Sequence, residues 1–189
     1  MVDKKSTVDT WKKKKWYDIN ADSTFDERKI GETVAVLPKS LMGRNLKKGL
    51  NELTGNIRDS SFEITFKVNK ITGSKADTQI TLFEAKAGFL RRMIRRQKSK
   101  IEPVFYVTTK DGTKLKIKVM AITGAKFTTP LRTQARKAVV DFFTEEIIAK
   151  TTKEAWNDII FQHVAEKCKI KLIKLGYINK VMVIKVMLV

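Results

Sequence analysis

The sequence contains one cysteine, one histidine and three prolines. Cys168 alone can form no internal disulfide and no thiolate zinc cluster, and a reduced, cytosolic compartment fits it. His163 alone cannot build a metal site without many carboxylates, so no metal and no cofactor are expected. At helical spacing His163 falls beside Ile159 and Ile160 on an apolar side, which predicts a half-buried structural histidine rather than a base or ligand. There is no G-x-G-x-x-G and no Walker loop. The stretch between Gly43 and Gly49 has the wrong spacing, and Leu50 stands where a Walker lysine would. The carboxylates Asp18, Asp22, Asp26 and Glu27 lie close together in sequence but read as turn and cap residues. These absences leave no catalytic residue and no small-molecule substrate to assign, and the chain is not expected to be an enzyme. Long apolar runs are missing too. The longest, 181–189, is interrupted by Lys185 and is too short to cross a bilayer as a helix. The N-terminal MVDKKSTVDTWKKKK lacks the apolar core of a secretory signal, and no membrane partner is expected.

Negative charge is scarce. Against 39 Lys and Arg stand 20 Asp and Glu, a formal net charge of +19, with a pI near 10.0. A compact domain with that excess repels itself. A polyanion neutralises it and releases counterions in doing so, which makes nucleic acid the natural partner and an anionic membrane surface the runner-up. The acids are also unevenly placed. None occurs between 85 and 101 or between 167 and 189, whereas 138–166 holds six acids against two lysines. That last stretch, with Asp141, Glu145, Glu146, Asp158 and Glu166, should meet solvent or a basic protein rather than phosphate.

Hydrophobic residues make up 42% of the chain, enough for a buried core. Residues 1–15 form a basic, weakly apolar arm, expected to be disordered without a partner. The remainder, 16–189, reads as a single RNA-binding α+β domain. Strands should dominate 32–121. The stretch 32–37 is one candidate, ended by Pro38, and 38–56 reads mostly as loop. In 61–68, Phe62, Ile64, Phe66 and Val68 alternate with Glu63, Thr65 and Lys67, the pattern of a half-buried strand. A turn at Gly73 leads to a second strand at 79–83. Strands at 103–109 and 113–121 flank Asp111-Gly112, a hairpin signal; on the second of them Leu115, Ile117 and Val119 alternate with a row formed by Lys114, Lys116 and Lys118. Two helices follow, within about 131–168. The first, 131–150, has Val139, Val140, Phe142, Phe143 and Ile147 at helical spacing. The second opens on Thr151 with Glu154 three residues later, a capping box. The β-branched run at about 178–188 should return to the sheet as a closing strand.

The sharpest chemical feature is FLRRMIRRQKSK, residues 89–100. Placed on a helix, Phe89, Leu90, Met93, Ile94 and Gln97 cover one half of the surface, and Arg91, Arg92, Arg95 and Arg96 the other. Solvated amphipathic faces usually mix Lys with Glu for i,i+4 pairing. This one has no Glu, and arginine forks bind phosphate bidentately and stack on bases, so the face is expected to be a phosphate rail. Lys12, Lys13, Lys14 and Lys15 sit beside Trp11, Trp16 and Tyr17, a basic run with aromatics that suits an RNA backbone with unstacked bases. For Trp16, packing in the core is an equal alternative. Lys126, Arg132, Arg136 and Lys137, with Phe127 and Pro130 between them, form a third basic stretch between hairpin and helix.

Several motifs, in order, resemble one family. Lys14-Lys15-Trp16-Tyr17-Asp18-Ile19 is similar to the KKxWYD-type opening of the archaeal and eukaryotic small-subunit ribosomal protein family S-one-e, also called S-three-a-e. Phe25 and Arg28-Lys29-Ile30-Gly31-Glu32-Thr33 resemble its Phe…IG-x-T segment. Gly43-Arg44 with Leu50 and Leu53 resembles its GR…V-x-L-x-D-L segment, although Thr54-Gly55-Asn56 displaces the acid expected there. Thr108-Thr109-Lys110-Asp111-Gly112 resembles its T-x-DG turn, Thr133-Gln134-Ala135-Arg136-Lys137 its Q-x-x-x-R helix start, and 178–186 its closing I-x-K-V-x-V strand. The resemblance spans roughly 14–188. The long C-terminal tail of eukaryotic members is lacking, so the archaeal type fits better.

The resemblance implies an antiparallel β-barrel-like core with flanking helices and the basic arm, on the small-subunit platform near the messenger exit. Its partners would be small-subunit ribosomal RNA and neighbouring platform proteins, and its place ribosome-bound in the cytoplasm. It implies RNA contact at Lys14, Lys15, Trp16, Arg44, Arg132 and Arg136. The expected function is that of a structural constituent of the ribosome. The alternatives are a free RNA- or single-strand-binding module, such as an OB-like translation factor, and a nucleic-acid enzyme with carboxylates gathered from distant segments.

Overall fold

The computed structural model describes residues 13–94, 96–172, 176 and 178–189. Its elements divide between two compact units, 1–48 with 65–80 and 49–64 with 81–189.

In the first unit β1 (Lys15–Asn20) pairs antiparallel with β2 (Lys29–Ala35), Trp16 opposite Val34 and Asp18 opposite Glu32. Of the four carboxylates expected in turns and caps, Asp22, Asp26 and Glu27 lie in the turn between β1 and β2, whereas Asp18 lies on β1 and pairs with Lys29 at 2.7 Å. Asp22 Oδ1 accepts from the Ser23 backbone N–H at 2.7 Å, and Asp26 takes a left-handed conformation. The loop expected at 38–56 contains order of its own. Pro38–Leu41 is a short 3-10 turn and Asn45–Gly49 is strand β3, while Leu50–Thr54 is helix α1 and belongs to the second unit. The alternating stretch forms β4 (Phe62–Thr72), which the turn at Gly73 reverses into β5 (Lys75–Ala85). Here β3 pairs with β4, and β4 with β5. The first residues of β5 lie parallel to β1, Asp18 opposite Lys75 and Asn20 opposite Asp77. This parallel ladder departs from the all-antiparallel expectation, because the β4–β5 hairpin brings β5 back in the direction of β1. Tyr17, Ile19, Phe25, Ile30, Leu41, Phe66 and Val68 fill the core; Phe25 meets Phe66 edge-on at 6.1 Å.

In the second unit the end of β5 pairs antiparallel with β9 (Ile178–Leu188), which pairs with β8 (Lys114–Thr123). Both β6 (Lys100–Ile101) and β7 (Val104–Thr108) lie on the other edge of β8. Leu115, Ile117 and Val119 are buried as the alternation predicts. From Val119 to Thr123, and from Val181 to Ile184, every residue is buried, the mark of strand segments covered on both faces. Of the helices α3 (Thr129–Ile148), α4 (Thr152–Ile160) and α5 (His163–Leu172), α3 packs on β7 and β6, α5 packs on β9 and α3, and α4 packs on α5. Phe143 of α3 packs edge-on against Phe105 at 6.1 Å. The capping box is present: Thr151 Oγ1 accepts from the Glu154 N–H and Glu154 Oε2 from the Thr151 N–H at 3.1 Å. The class is thus α+β. Among the described residues the ladders of neither unit close on themselves, so the sheet is met without the closed barrel.

Two expectations fail for tertiary reasons. The helix that starts at Thr151 breaks after Ile160, where Gln162 adopts φ 60° and its side-chain amide bonds both the N–H and the C=O of Val183. His163 therefore opens a new helix and is exposed rather than half-buried, its ring 6.1 Å from that of Phe161. The arginine helix also stops early: α2 covers only Ala87–Met93.

Candidate nucleic-acid interface

Local forces account for the short α2. Lys86, its N-cap, makes no side-chain cap, and no acid supports the first turn. Ile94 is extended and Gln97 left-handed, with φ 64°. The pull comes from Ser99, whose N–H donates to Thr123 Oγ1 at 2.8 Å and whose C=O accepts from the Thr123 N–H at 3.0 Å. A helix continued through Lys100 would carry Ser99 and Ile101 away from β8. The four-arginine helical face is corrected accordingly. Arg91 and Arg92 are exposed on the last turn of α2, Arg96 is exposed on the turn beyond, and Arg95 lies outside the described residues. The apolar face is weaker than expected too. Leu90 and Met93 are half-buried, and Ile94 is 40% exposed.

Lys13, Lys14 and Lys15 are exposed at the start of β1, and Lys12 lies outside the described residues. Trp16 is 63% exposed while Tyr17 beside it is buried. Strand alternation turns Trp16 outward, which settles the packing alternative against the core. Arg44 is exposed as well. Its guanidinium donates to Thr33 Oγ1 at 2.8 Å, to the Val34 C=O at 3.1 Å and to the Ser40 C=O at 3.2 Å, so it braces its own unit.

Lys126 is exposed on the loop before α3, and Arg136 and Lys137 on the helix itself. Arg132 Nε donates to the Phe127 C=O at 3.1 Å. The loop is pinned from below, where the Phe127 N–H donates to the buried Ser99 hydroxyl at 2.9 Å. Thus α3 carries Arg132 and Arg136 towards its N-terminus and Glu145 and Glu146 towards its C-terminus. A helix arranged for its own stability carries the reverse, so this order favours an external anion at the basic end. The acids at the other end are met from within. Lys150 bonds Asp158 and Glu146, Lys167 approaches Glu146 at 3.9 Å, and Lys171 bonds Glu145 at 3.3 Å. Burial by itself would lower the Lys150 pKa, but its hydrogen bonds to Asp158 and Glu146 hold it above the usual lysine value. The lysine row of β8 is likewise partly neutralised: Lys118 pairs with Glu102 at 3.4 Å, and Lys116 Nζ lies 5.4 Å from the Tyr106 ring centre.

The second unit also holds a cleft of about 910 Å³ that sequence reasoning missed. Its walls come from the turn at Arg58, α2, Lys98, α5 and β9. Five basic side chains line it, Arg58, Arg92, Lys98, Lys169 and Lys180, against Asp59 and Glu166. Asp59 is held by the Thr54 hydroxyl at 2.8 Å. Phe62 and Phe89 stand within it, their ring centres 5.8 Å apart, and Lys180 Nζ is 5.6 Å from the Phe89 ring. Its signals in the sequence are the two acid-free basic stretches, 85–101 and 167–189, which gave no sign that they meet. Among the described residues no three His, Cys, Asp or Glu gather to hold a metal, and no helix is long and apolar enough to cross a membrane.

Comparison with known proteins agrees along the whole chain. The Ribosomal S3Ae family matches residues 2–189. The small ribosomal subunit protein eS1 of Picrophilus torridus is 34% identical over 158 residues, which cover 84% of this chain and 76% of that one. The protein of the same name from Methanothermobacter thermautotrophicus is 30% identical over 177 residues, 94% and 91% of the two chains. That from Methanocaldococcus jannaschii is 31% identical over 177 residues, 94% and 80%.

Proposed function

The chain belongs to the Ribosomal S3Ae family, and on that premise we infer that it is a structural, non-catalytic component of the small ribosomal subunit, of the archaeal type. The observation that carries this is the match from residue 2 to residue 189 to a family whose relatives are named small ribosomal subunit protein eS1. The charge supports it. A net +19 needs a polyanion, and ribosomal RNA supplies one.

The mechanism is electrostatic. Exposed cations neutralise phosphates and hold RNA segments in one arrangement, with position set by backbone contacts rather than base sequence. The lysines at 12–15, Trp16, Arg91, Arg92, Arg95, Arg96, Lys126, Arg132, Arg136 and Lys137 are the proposed contacts. Arg44, exposed and held in place by its hydrogen bonds, is a proposed contact as well. Residues 16–189 act as one RNA-binding domain and 1–15 as its arm, ribosome-bound in the cytoplasm, on the platform near the messenger exit and beside other platform proteins. The test is sedimentation of the tagged protein with ribosomal subunits through a high-salt wash. Retention in the small subunit is expected. Release into the free fraction, as a single-strand-binding factor would show, overturns the proposal.

A further inference from the structure

The cleft in the second unit combines three things that the exposed arginines and lysines elsewhere do not. The first is available charge. Arg58, Arg92, Lys98, Lys169 and Lys180 form no ion pair with a carboxylate among the described residues, whereas Lys29, Lys100, Lys118, Lys150 and Lys185 all do. The second is aromatic surface, from the half-buried Phe89 with Met93 beside it.

The third is backbone. β9 pairs with β5 only across Lys185–Met187, and further along Gln162 takes that place by bonding the Val183 N–H and C=O. From Val183 to Lys180 the register against β8 is regular. Residues two apart on a strand direct their backbone groups the same way, so the N–H and C=O of Val181 point to the side where Gln162 lies. They offer a donor and an acceptor at the wall of the cleft.

We propose that this cleft binds a single-stranded segment of RNA, with an unstacked base against Phe89 and the Val181 backbone, and flanking phosphates on Arg58, Arg92, Lys98, Lys169 and Lys180. The proposal rests on the ribosomal reading and gives it a specific site. The volume, about 910 Å³, lies in the range of pockets that enclose small organic ligands, roughly 300–1,000 Å³. An added peptide strand fits the cleft less well. The open edge is closed at Val183 by Gln162 and interrupted at Asn179, where the register against β8 shifts, and so short an edge is a poor template for pairing. The charge favours a polyanion.

The experiment uses the full chain with a fluorescent ten-nucleotide uridine or adenosine homopolymer, and an RNA duplex as comparison. Phe89→Leu keeps apolar volume and removes the ring. It should weaken single-strand binding about 5- to 150-fold, the worth of one base–aromatic stack, and leave the salt dependence and duplex binding unchanged. Lys169→Gln with Lys180→Gln, both exposed and so safe for folding, should reduce the log–log salt slope by roughly 0.7 for each phosphate the cleft no longer neutralises. Wild-type affinity and slope in this folded double variant overturn the proposal. If that variant still sediments with small subunits through the high-salt wash, the ribosomal reading stands without the cleft. In purified subunits, a photoreactive residue at Met93 supports the proposal by capturing RNA, and overturns it by capturing only protein.

Discussion

Asp111 Oδ2 accepts the backbone N–H of Thr152 at 2.6 Å, so the turn of the β7–β8 hairpin closes the N-terminus of α4. The Lys110 N–H adds a bond to the Lys150 C=O at 3.1 Å. Within the turn Gly112 takes φ 77°, the left-handed position that follows a tight turn in three-residue hairpin loops. A signal that specified only a local reversal thus also places a carboxylate where a helix needs one.

The Thr152 backbone N–H, then its side-chain hydroxyl, hold the Asp111 carboxyl below its ordinary value near 3.8. A depressed carboxylate stabilises the folded state fully above that ordinary value, and its contribution is lost as pH falls through the lower folded value. Wild type should therefore melt above Asp111→Asn at pH 7, and the gap should shrink only below about pH 3.8. Melting curves of both proteins from pH 7 to pH 3 check this. A constant gap would mean that the carboxylate charge is not the cause.

Thr151 closes the same helix end from its own side. Thr151→Ala removes one arm of the capping box and should cost about 1 kcal/mol, within the usual 0.5–2 kcal/mol. Denaturant unfolding with an unchanged m-value is the measurement.

The early end of α2 makes a prediction opposite to the one its helical spacing suggests. Ile94, 40% exposed, should tolerate Ile94→Ala at a cost of about 0.5 kcal/mol or less. Phe143, fully buried against Phe105, should lose about 3–5 kcal/mol on Phe143→Ala. Equal costs would restore Ile94 to the core.

Burial pushes the Cys168 thiol up to about 12, with Lys171 opposing weakly. At neutral pH the folded protein should not react with a thiol reagent such as dithionitrobenzoate. The same protein in denaturant should react with one equivalent. Rapid labelling of folded protein would show that α5 opens.

Arg136 and Lys137 are exposed on α3. Replacing both with Gln should change stability by no more than about 0.5 kcal/mol. The salt slope of RNA binding should fall in magnitude by roughly 0.7–0.9 for each phosphate that the pair had neutralised. An unchanged slope in the folded variant would make this face merely solvated.

What the sequence determined by itself was whatever short-range physics controls. Alternation in Phe62, Ile64, Phe66 and Val68 is enough for a strand, Asp111-Gly112 for a hairpin, and Thr151 with Glu154 for a helix start, because each signal lies within a few residues. The excess of lysine and arginine pointed to a polyanion with no reference to shape. Only the tertiary structure decided where helices stop. Nothing in Phe161-Gln162-His163 announces a break, since Gln162 bends the chain to reach Val183, 21 residues away. Nothing in Ile94 to Lys98 announces one either, since the cause is the bond from Ser99 to Thr123. The same holds for the cleft, whose cations at positions 58, 92, 98, 169 and 180 share one wall system only once β9 has returned to β8. A sequence pattern records periodicity along the chain, and contacts between distant segments have no period.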